Sequence, residues 1–357
     1  MLNLITNLDS KEFEFSVISA PNGPLIQKLK ELNIEHFSIP ELERKINIKD
    51  IIVFLKIYLI CRKGNFDIVH THSSKTGFLG RIAAKLAGTK GVIHTVQGFP
   101  FHPFQSRIAH TFFKALEKVA SFFCDRIISV NKCEYEMAIK QKFIQQNKIT
   151  FIYNAVKKVE AIKSKYKKSD FEFSKNDIII GSVSRFDEPK NNINLINIAI
   201  EIVKENSNIH FIFIGNGSKL ETAKRIVKEN GFEKRILLPG WKNDIPDWLA
   251  LFDIFILYSK WEGLSLSILE AMSAGKPIIA SKIKGNNELV IDGKNGFLVE
   301  IGKHKILKEK IVWLANHKRE RKKMGLESKK LVQEEFSLEN FVKSYKNEYI
   351  KLYQKKL

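Results

Sequence analysis

Two glutamates eight positions apart are the residues whose types and spacing point most directly to chemistry in this sequence. They are Glu262 and Glu270 in the run WEGLSLSILEA, directly after the apolar stretch 253–258. They straddle a predicted strand-to-helix turn, and the start of that helix would face a bound anion. The structural alternative makes the first glutamate a favourable charge at a helix start and the second a solvated surface residue.

The residues between these glutamates predict a helix. Leu264, Ile268 and Met272 recur every four residues, which predicts one buried helical face. The backbone N–H groups of Gly263, Leu264 and Ser265 would be free at the start of this helix, where they suit an anionic phosphate.

Two cations flank a second turn, after the apolar run 178–184. Arg185 can contact a diphosphate with its two-pronged guanidinium group, and Lys190 can add a point charge. Both would stabilise a departing nucleotide diphosphate. A salt bridge from this pair to Asp187 or Glu188 is an equally good interpretation of the sequence.

Two glycines, Gly215 and Gly217, follow the apolar run 209–214 and resemble half of a dinucleotide fingerprint. Leu220 occupies the position of the third glycine, and no acidic residue stands where the ribose would need one. The pattern therefore allows close approach of a ligand to the backbone, or only a tight turn.

Polar residues also end two runs in the first half of the sequence. His70 and His72 lie two apart on a predicted strand, hence on one face, and Lys75 follows them. No third metal ligand has suggestive spacing, so a hydrogen-bonded histidine pair is favoured over a metal site. Gln97 and His102 follow the next strand, and together with His72 and Lys75 they are the candidate residues of the acceptor side. For the histidine His102, acid–base chemistry and a structural role both remain open.

The elements that must position these residues alternate between β-rich runs and segments of helical period. This alternation predicts parallel sheets covered by helices, in two doubly wound Rossmann-like domains with a cleft between them. The predicted strands are 13–19, 34–39, 67–73, 92–96, 126–130, 149–153, 178–184, 209–214, 235–238, 253–258, 277–281 and 296–299.

The predicted domain boundaries follow from a polar, Lys-rich segment in the middle of the chain. Residues 1–157 form the first domain, 158–176 the linker and 177–336 the second domain, and 337–357 form a C-terminal helix. At the start, Leu4 and Leu8 indicate the end of a helix. A doubly wound sheet begins with a strand and a glycine-bearing turn, so we expect both to be absent here.

The composition is that of an ordinary globular protein except for its charge. Among 357 residues, 59 Lys and Arg against 39 Asp and Glu give a net charge of +20, which favours an acidic partner. Three separated cysteines predict neither disulfides nor zinc, and suggest a reducing compartment. No apolar stretch is long enough to cross a bilayer.

One basic and aromatic stretch, 107–123, has two interpretations. It combines Phe112, Phe113, Phe122 and Phe123 with Lys and Arg, so it could lie on a membrane surface. It could also be a buried helix that covers the first sheet, and we favour this second interpretation.

Taken together and in this order, the motifs resemble family 4 of the retaining glycosyltransferases, a GT-B group that includes surface-polysaccharide enzymes. The match is strongest over 238–299, which carries the E-x7-E element, EAM, GKP and a G-x-x-E-L turn at 285–289. It also covers HTHSSKTGFLGRIAAKLAG and HTVQGFPFH, and so nearly the whole chain.

The resemblance implies roles for the residues of the second domain. Arg185 and Lys190 match residues on the donor diphosphate, Glu270 matches the residue on the ribose, and Glu262 the one near the transferred sugar. Trp241 lies in the turn where relatives hold the base. The last helix would cross back to the first domain, as it does in this fold.

Two departures from the family pattern accompany the resemblance. Many relatives have His where this chain has Gln97, so no role for an imidazole carries over. The glycine-rich loop that faces the donor phosphates in the family has no counterpart here.

The resemblance implies a retaining transferase without metal or other cofactor. It would move an N-acetylhexosamine or related sugar from a UDP-sugar to a lipid-diphosphate-linked or glycan acceptor in capsule, O-antigen or other surface-polysaccharide synthesis. We expect a cytoplasmic protein, peripheral at an anionic membrane surface, that does not bind nucleic acid. The alternatives are a UDP-sugar 2-epimerase of the same fold and an inactive nucleotide-sugar-binding protein.

Overall fold

The chain divides into two compact units. The computed structural model describes residues 1–43, 45–157 and 164–355. Unit 1 comprises Met1–Tyr153 and Glu339–Leu357, and unit 2 comprises Asn154–Leu338. Of the predicted linker 158–176, residues 158–163 lie outside the described residues. The remainder packs within unit 2, where Tyr166 donates a hydrogen bond to Asp244 at 2.7 Å.

Unit 1 contains two parallel sheets. Strand β1 (Ser16–Ser19) pairs with β2 (Glu35–Ser38), and a second sheet has the order β3 (Ile68–His72), β4 (Gly91–Val96), β5 (Arg126–Ser129), β6 (Ile149–Phe151). Among the described residues, no strand joins β1 to β3. The helices are α1 (Leu2–Ile5), α2 (Pro24–Glu31), α3 (Asp50–Gly64), α4 (Ser74–Leu86), α5 (Arg107–Phe122), α6 (Lys132–Lys140) and α14 (Leu338–Gln354).

The last helix, α14, packs on unit 1. Glu348 accepts a hydrogen bond from Arg126 of β5 at 2.6 Å, and Tyr345 and Tyr349 are buried against the sheet. This helix supplies partners to three strands of the unit, because Tyr345 and Tyr349 also contact Thr95 and His70.

Unit 2 has one parallel sheet of six strands. Their spatial order is β12 (Gly296–Val299), β11 (Ile278–Ser281), β10 (Ile254–Leu257), β7 (Ile178–Val183), β8 (Ile209–Ile214), β9 (Ile236–Gly240). The strands are near-continuous apolar runs because helices cover both faces. The helices are α7 (Asn192–Glu205), α8 (Leu220–Glu229), α9 (Ile245–Leu251), α10 (Leu266–Ser273), α11 (Lys284–Asn287), α12 (His304–Asn316) and α13 (Lys318–Glu335).

The two units bury their charged side chains differently. The core of unit 2 is mainly aliphatic and aromatic, and its buried Arg321 donates to the backbone carbonyl of Leu314 at 2.9 Å. In unit 1, Arg81 of α4 is fully buried and donates to Glu117 of α5 at 2.9 Å. Its Nε donates to the carbonyl of Gly77 at 2.9 Å, so the interior of this unit contains an ion pair.

The prediction that 107–123 forms a buried covering helix is correct for the helix and wrong for the burial of its phenylalanines. The helix exists as α5, but Phe112 and Phe122 are exposed, while Glu117 and Ser121 face inward. Glu117 faces inward because it has a buried cationic partner in Arg81, which compensates for its desolvation.

Candidate active site

The predicted motifs of unit 2 converge at one edge of its sheet. They follow β10, β7, β8 and β9, which are neighbours in that order. The carboxyl ends of parallel strands lie at the same edge, so the four loops are adjacent. The order of strands in the chain reverses between β7 and β10, and ligands bind outside such switch points in open α/β sheets.

Lys190 and Glu262 meet at this switch point. The Nζ of Lys190 lies 2.5 Å from Oε1 of Glu262, with the two side chains 17% and 11% exposed. Lys190 ends the short 3₁₀ turn Glu188–Lys190 after β7, and Glu262 lies in the turn after β10. The amide of Lys260 donates to the carbonyl of Pro189 at 2.7 Å and fastens the two turns together.

Helix α10 follows the sequence prediction. Leu264, Ile268 and Met272 are buried, and the Oγ of Ser265 caps the helix by accepting from the amide of Ile268 at 3.4 Å. Glu270 is half-buried. Within the part of the chain that the structure describes, its carboxylate has no hydrogen-bonding or ionic partner.

The environment of Glu270 affects its protonation. Burial raises the pKa of Glu270 above its ordinary value of 4.5, because a carboxylate loses favourable hydration when it is desolvated. A half-buried carboxylate without a partner can accept hydrogen bonds from hydroxyl groups of a ligand.

Arg185 has the structural partner that the sequence left open. Its Nη1 lies 2.9 Å from Oδ2 of Asp187, and its side chain is 51% exposed. The amide of Ser218 also donates to Asp187, at 3.3 Å, so this carboxylate connects the loops after β7 and β8. Arg185 therefore lies in the same loop as Lys190 but does not share its burial or its partner.

Gly215 and Gly217 are explained by contact between these two loops. A Cβ atom on Gly215, whose φ is 145°, would lie 1.9 Å from the carbonyl oxygen of Ser184. A Cβ atom on Gly217 would lie 2.7 Å from the amide nitrogen of Phe186. Trp241 follows β9 at the same edge, and its side chain is largely exposed.

The sequence analysis considered Glu188 as a partner of Arg185 or Lys190 and missed the partners that it has. Glu188 pairs with both Lys219 and Lys260. Hydrogen bonds from these lysines, that from Lys219 first, lower the pKa of Glu188 to about 2. The position of Lys260 two residues before Glu262 was a usable signal, since it places a second cation at the start of the glutamate motif.

A second missed feature is the close approach of Gly285 to the turn of Glu262. A Cβ atom on Gly285 would lie 1.9 Å from the carbonyl oxygen of Gly263. Gly285 opens the G-x-x-E-L turn, so this turn supports the glutamate motif from β11.

The candidate residues of unit 1 lie at the carboxyl ends of β3 and β4. Lys75 is ion-paired with Asp50 and donates to the carbonyl of Lys45 at 2.6 Å, so its charge is compensated. Gln97 is exposed, and His102 is partly buried. Burial, followed by the charge of His110, lowers the pKa of His102.

The two histidines of β3 share a face as predicted. The rings of His70 and His72 lie 4.3 Å apart, and His70 hydrogen-bonds Tyr349 at 2.6 Å and Thr95 at 2.7 Å. Burial lowers the pKa of His72 to about 3 and also lowers that of His70. Both imidazoles are therefore neutral at physiological pH. Within 1–43, 45–157 and 164–355, no group of three or more His, Cys, Asp or Glu side chains is arranged to hold a metal ion.

Comparison with known families identifies the class of protein. Residues 1–158 match the family described as Glycosyltransferase Family 4, and residues 163–331 match Glycosyl transferases group 1. The chain belongs to this glycosyltransferase family, as its motifs predicted, and it is a transferase enzyme.

Two relatives indicate which glycosyltransferases this chain resembles. UDP-Gal:alpha-D-GlcNAc-diphosphoundecaprenol alpha-1,3-galactosyltransferase of Escherichia coli is 37% identical over 302 residues, covering 82% of this chain and 78% of the relative. The capsular polysaccharide biosynthesis glycosyltransferase CapM of Staphylococcus aureus is 25% identical over 348 residues, covering 94% and 90%. The prediction of a surface-polysaccharide glycosyltransferase is confirmed.

Solved structures confirm the predicted GT-B fold. The crystal structure of Anabaena HepE in complex with UDP and glucose superposes with a TM-score of 0.78, at 19% identity, covering 93% of this chain and 90% of that one. Among the described residues, no helix is long and apolar enough to cross a membrane.

Proposed function

We propose that this glycosyltransferase moves a sugar from a UDP-sugar, with retention of anomeric configuration, to a sugar carried by a lipid diphosphate. The observation that carries the proposal is the Lys190–Glu262 ion pair at the switch point of unit 2. The E. coli relative, whose name includes a UDP-galactose donor and a diphosphoundecaprenol-linked acceptor, supports both substrate classes.

Each residue of the site has a proposed task. Glu270 accepts hydrogen bonds from the ribose hydroxyls, since it has no other described partner. Lys190 and Arg185 face the diphosphate, where negative charge grows as the leaving group departs. Glu262 orients Lys190 through their short ion pair and lies beside the transferred sugar. Trp241 offers an exposed aromatic surface to the base.

The same proposal includes independence from metal ions. Lys190 and Arg185 supply positive charge to the leaving group, which is the task that a divalent cation performs in other transferases. We expect turnover to persist in excess EDTA. Loss of turnover with EDTA and its return with manganese or magnesium would contradict this part.

The protein works, in this proposal, at the surface of a membrane that contains its acceptor. A net charge of +20 favours an anionic surface. The cytoplasmic face is the one where nucleotide sugars and a reduced set of cysteines, Cys61, Cys124 and Cys133, are both expected.

The test is a transfer assay with a synthetic GlcNAc-diphospholipid acceptor and a panel of UDP-galactose, UDP-glucose, UDP-GlcNAc and UDP-GalNAc. Transfer from one UDP-sugar with an α-linkage in the NMR spectrum of the product is expected. A β-linked product would overturn retention. Transfer from none of the UDP-sugars, by a protein that does not bind UDP in calorimetry, would overturn the donor class.

A further inference from the structure

Helix α5 has an apolar outer face. Ile108, Phe112, Val119 and Phe122 are 84%, 55%, 47% and 59% exposed, and they fall on one stripe of the helix together with exposed Ala115. Helices of globular proteins normally turn such a stripe toward the core. A contiguous apolar surface of this kind marks a face that meets another apolar phase.

The inner face of α5 explains why this orientation is stable. Glu117, 3% exposed, forms the ion pair with Arg81, which is fully buried. Turning the helix to bury its apolar stripe would expose one partner and leave the other charge buried alone, which is strongly unfavourable. The ion pair therefore holds the apolar stripe outward.

The neighbouring helix α3 extends the apolar surface. Ile51, Leu55 and Leu59 recur every four residues on α3 and are each about half exposed or more. Helix α4 packs against both α3 and α5, so the two stripes belong to one helical layer. Exposed apolar side chains are thus concentrated on this layer of unit 1.

The charges beside the stripe indicate what covers it. Arg107 and Lys118 lie on the exposed side of α5, and neither has a salt-bridge partner within the described parts of the chain. The acid of this helix, Glu117, is buried in its ion pair. An apolar stripe with cations at its border is the pattern of a helix that lies in a membrane interface and attracts anionic headgroups.

A second copy of the chain fits this pattern less well. A two-fold symmetric dimer buries the same patch of both copies, and α5 offers Arg107 and Lys118 no acidic partner there because Glu117 is buried in its own ion pair. Cations without an acidic partner give such a dimer no charge complementarity. An anionic lipid surface instead compensates them.

We propose that the outer face of α5 docks the protein on an anionic lipid surface. Ile108, Phe112 and Phe122 insert among the acyl chains, and Arg107 and Lys118 contact headgroup phosphates. The inference deepens the proposed function, on which it rests for the membrane-borne acceptor, by assigning the membrane contact to one helix of unit 1.

The test is flotation of the full chain with vesicles of phosphatidylcholine containing about 30 mol% phosphatidylglycerol, without acceptor or donor. The unsubstituted protein is expected to float, and less so as salt is raised from about 100 to 500 mM. Phe112→Glu is expected to weaken vesicle binding about tenfold or more, because it places a charge among acyl chains.

Two further variants keep the test informative. Ala115→Glu adds a charge to the same stripe without removing any large side chain, so a loss of flotation there is not a loss of packing. Leu326→Glu changes an exposed leucine on α13 of unit 2, where the side chain is 70% exposed, and is expected to float normally. Circular dichroism melting curves check that each variant is folded.

Specific results would overturn the proposal. They are an unsubstituted protein that stays with the soluble fraction, or stripe variants that float as well as Leu326→Glu. A dimer in light scattering that Phe112→Glu converts to monomer would assign the face to a protein partner instead. If flotation behaves as expected but no UDP-sugar is transferred to a water-soluble acceptor, the proposed function fails and the docking face stands.

Discussion

The Lys190–Glu262 ion pair of unit 2 and the Arg81–Glu117 ion pair of unit 1 lie in different settings. Unit 2 packs aliphatic and aromatic side chains around one six-stranded sheet, and the ion pair of its candidate site joins the turns that follow β7 and β10. Unit 1 buries the Arg81–Glu117 ion pair and exposes the apolar stripe of α5. Both units nevertheless use parallel strands connected by helices.

This difference shows that two units with the same architecture can bind their partners at different kinds of surface. In unit 2, the strand ends carry a short ion pair and an unsatisfied carboxylate, which suits a small charged ligand. In unit 1, the distinguishing surface is a helical face rather than a strand end. The position of buried polar groups, more than the fold, distinguishes the two kinds of surface.

Breaking the buried ion pair of unit 1 is the strongest test of this comparison. Arg81→Met leaves Glu117 charged and unpaired in the interior, and we expect it to reduce the free energy of unfolding of unit 1 by about 3–5 kcal/mol. Hydrogen exchange of amides in β3, β4 and β5 measures the loss in this unit.

The double variant Arg81→Met, Glu117→Leu is the matched control. It removes both charges, so most of the lost stability should return. In unit 2, Ile180→Val should cost only about 0.5–1.5 kcal/mol because no charge is left unpaired. If Arg81→Met cost no more than Ile180→Val, the comparison of the interiors would be wrong.

Turnover should depend on one lysine at the switch point of unit 2. Lys190→Ala is expected to lower kcat about 100-fold or more and to raise the donor KM less, because its charge helps the departing diphosphate most in the transition state. Lys219→Ala is the control, since Lys219 is exposed and pairs with Glu188. Steady-state rates of sugar transfer compare the two, and near-normal kcat for Lys190→Ala would remove the leaving-group role.

Glu270→Gln should weaken UDP binding and at the same time stabilise the folded protein. We expect UDP affinity in calorimetry to fall about tenfold, because a charge-assisted hydrogen bond to the ribose is replaced by a neutral one. We also expect a higher melting temperature at pH 7, because burial of the carboxylate opposes folding. Unchanged UDP affinity in the folded variant would contradict the ribose contact.

The pH dependence of this variant has a definite sign. Since the pKa of Glu270 is raised in the native protein, the unfolded chain loses its proton first as pH rises. The stability contribution of Glu270 therefore falls as pH rises from about 4.5 through the raised pKa. Glu270→Gln should lack this decline in melting curves.

The smallest effect is expected at the exposed ionic group of unit 2. Glu188→Gln should change the free energy of unfolding by less than about 1 kcal/mol, because solvent screens its pairs with Lys219 and Lys260. Its pKa is depressed to about 2, so this contribution is present above about pH 4.5 and is lost as pH falls toward 2. Urea unfolding followed by tryptophan fluorescence would measure it, and a loss of several kcal/mol would show a less solvated group.

The sequence predicted the strands well because each is a local apolar run. Strands 209–214 and 296–299 agree with β8 and β12 at both ends, and the other predicted strands overlap observed ones. Helix α10 was also predictable, since Leu264, Ile268 and Met272 repeat with the helical period. These features depend only on residues close together in the chain.

The partners within the site were not predictable in the same way. Whether Lys190 or Arg185 would pair with a local acid depends on β7 lying beside β10, which no local pattern specifies. Arg185 pairs with Asp187 in its own loop, whereas Lys190 pairs with Glu262, which is distant in the sequence. The prediction for α5 was wrong for a similar reason. Glu117 on this helix pairs with Arg81, which is distant in the sequence.

The assignment of α14 to unit 1 has a consequence for synthesis on the ribosome. Unit 1 is interrupted in the chain by all of unit 2, so its strands emerge long before the helix that bonds to His70, Thr95 and Arg126. At about 5–20 residues per second, the intervening unit takes roughly 10 to 40 seconds to translate. Unit 2 can fold during that interval, whereas the sheet of unit 1 stays partly uncovered until α14 is synthesised. During this interval the incomplete first unit is accessible to chaperones and proteases.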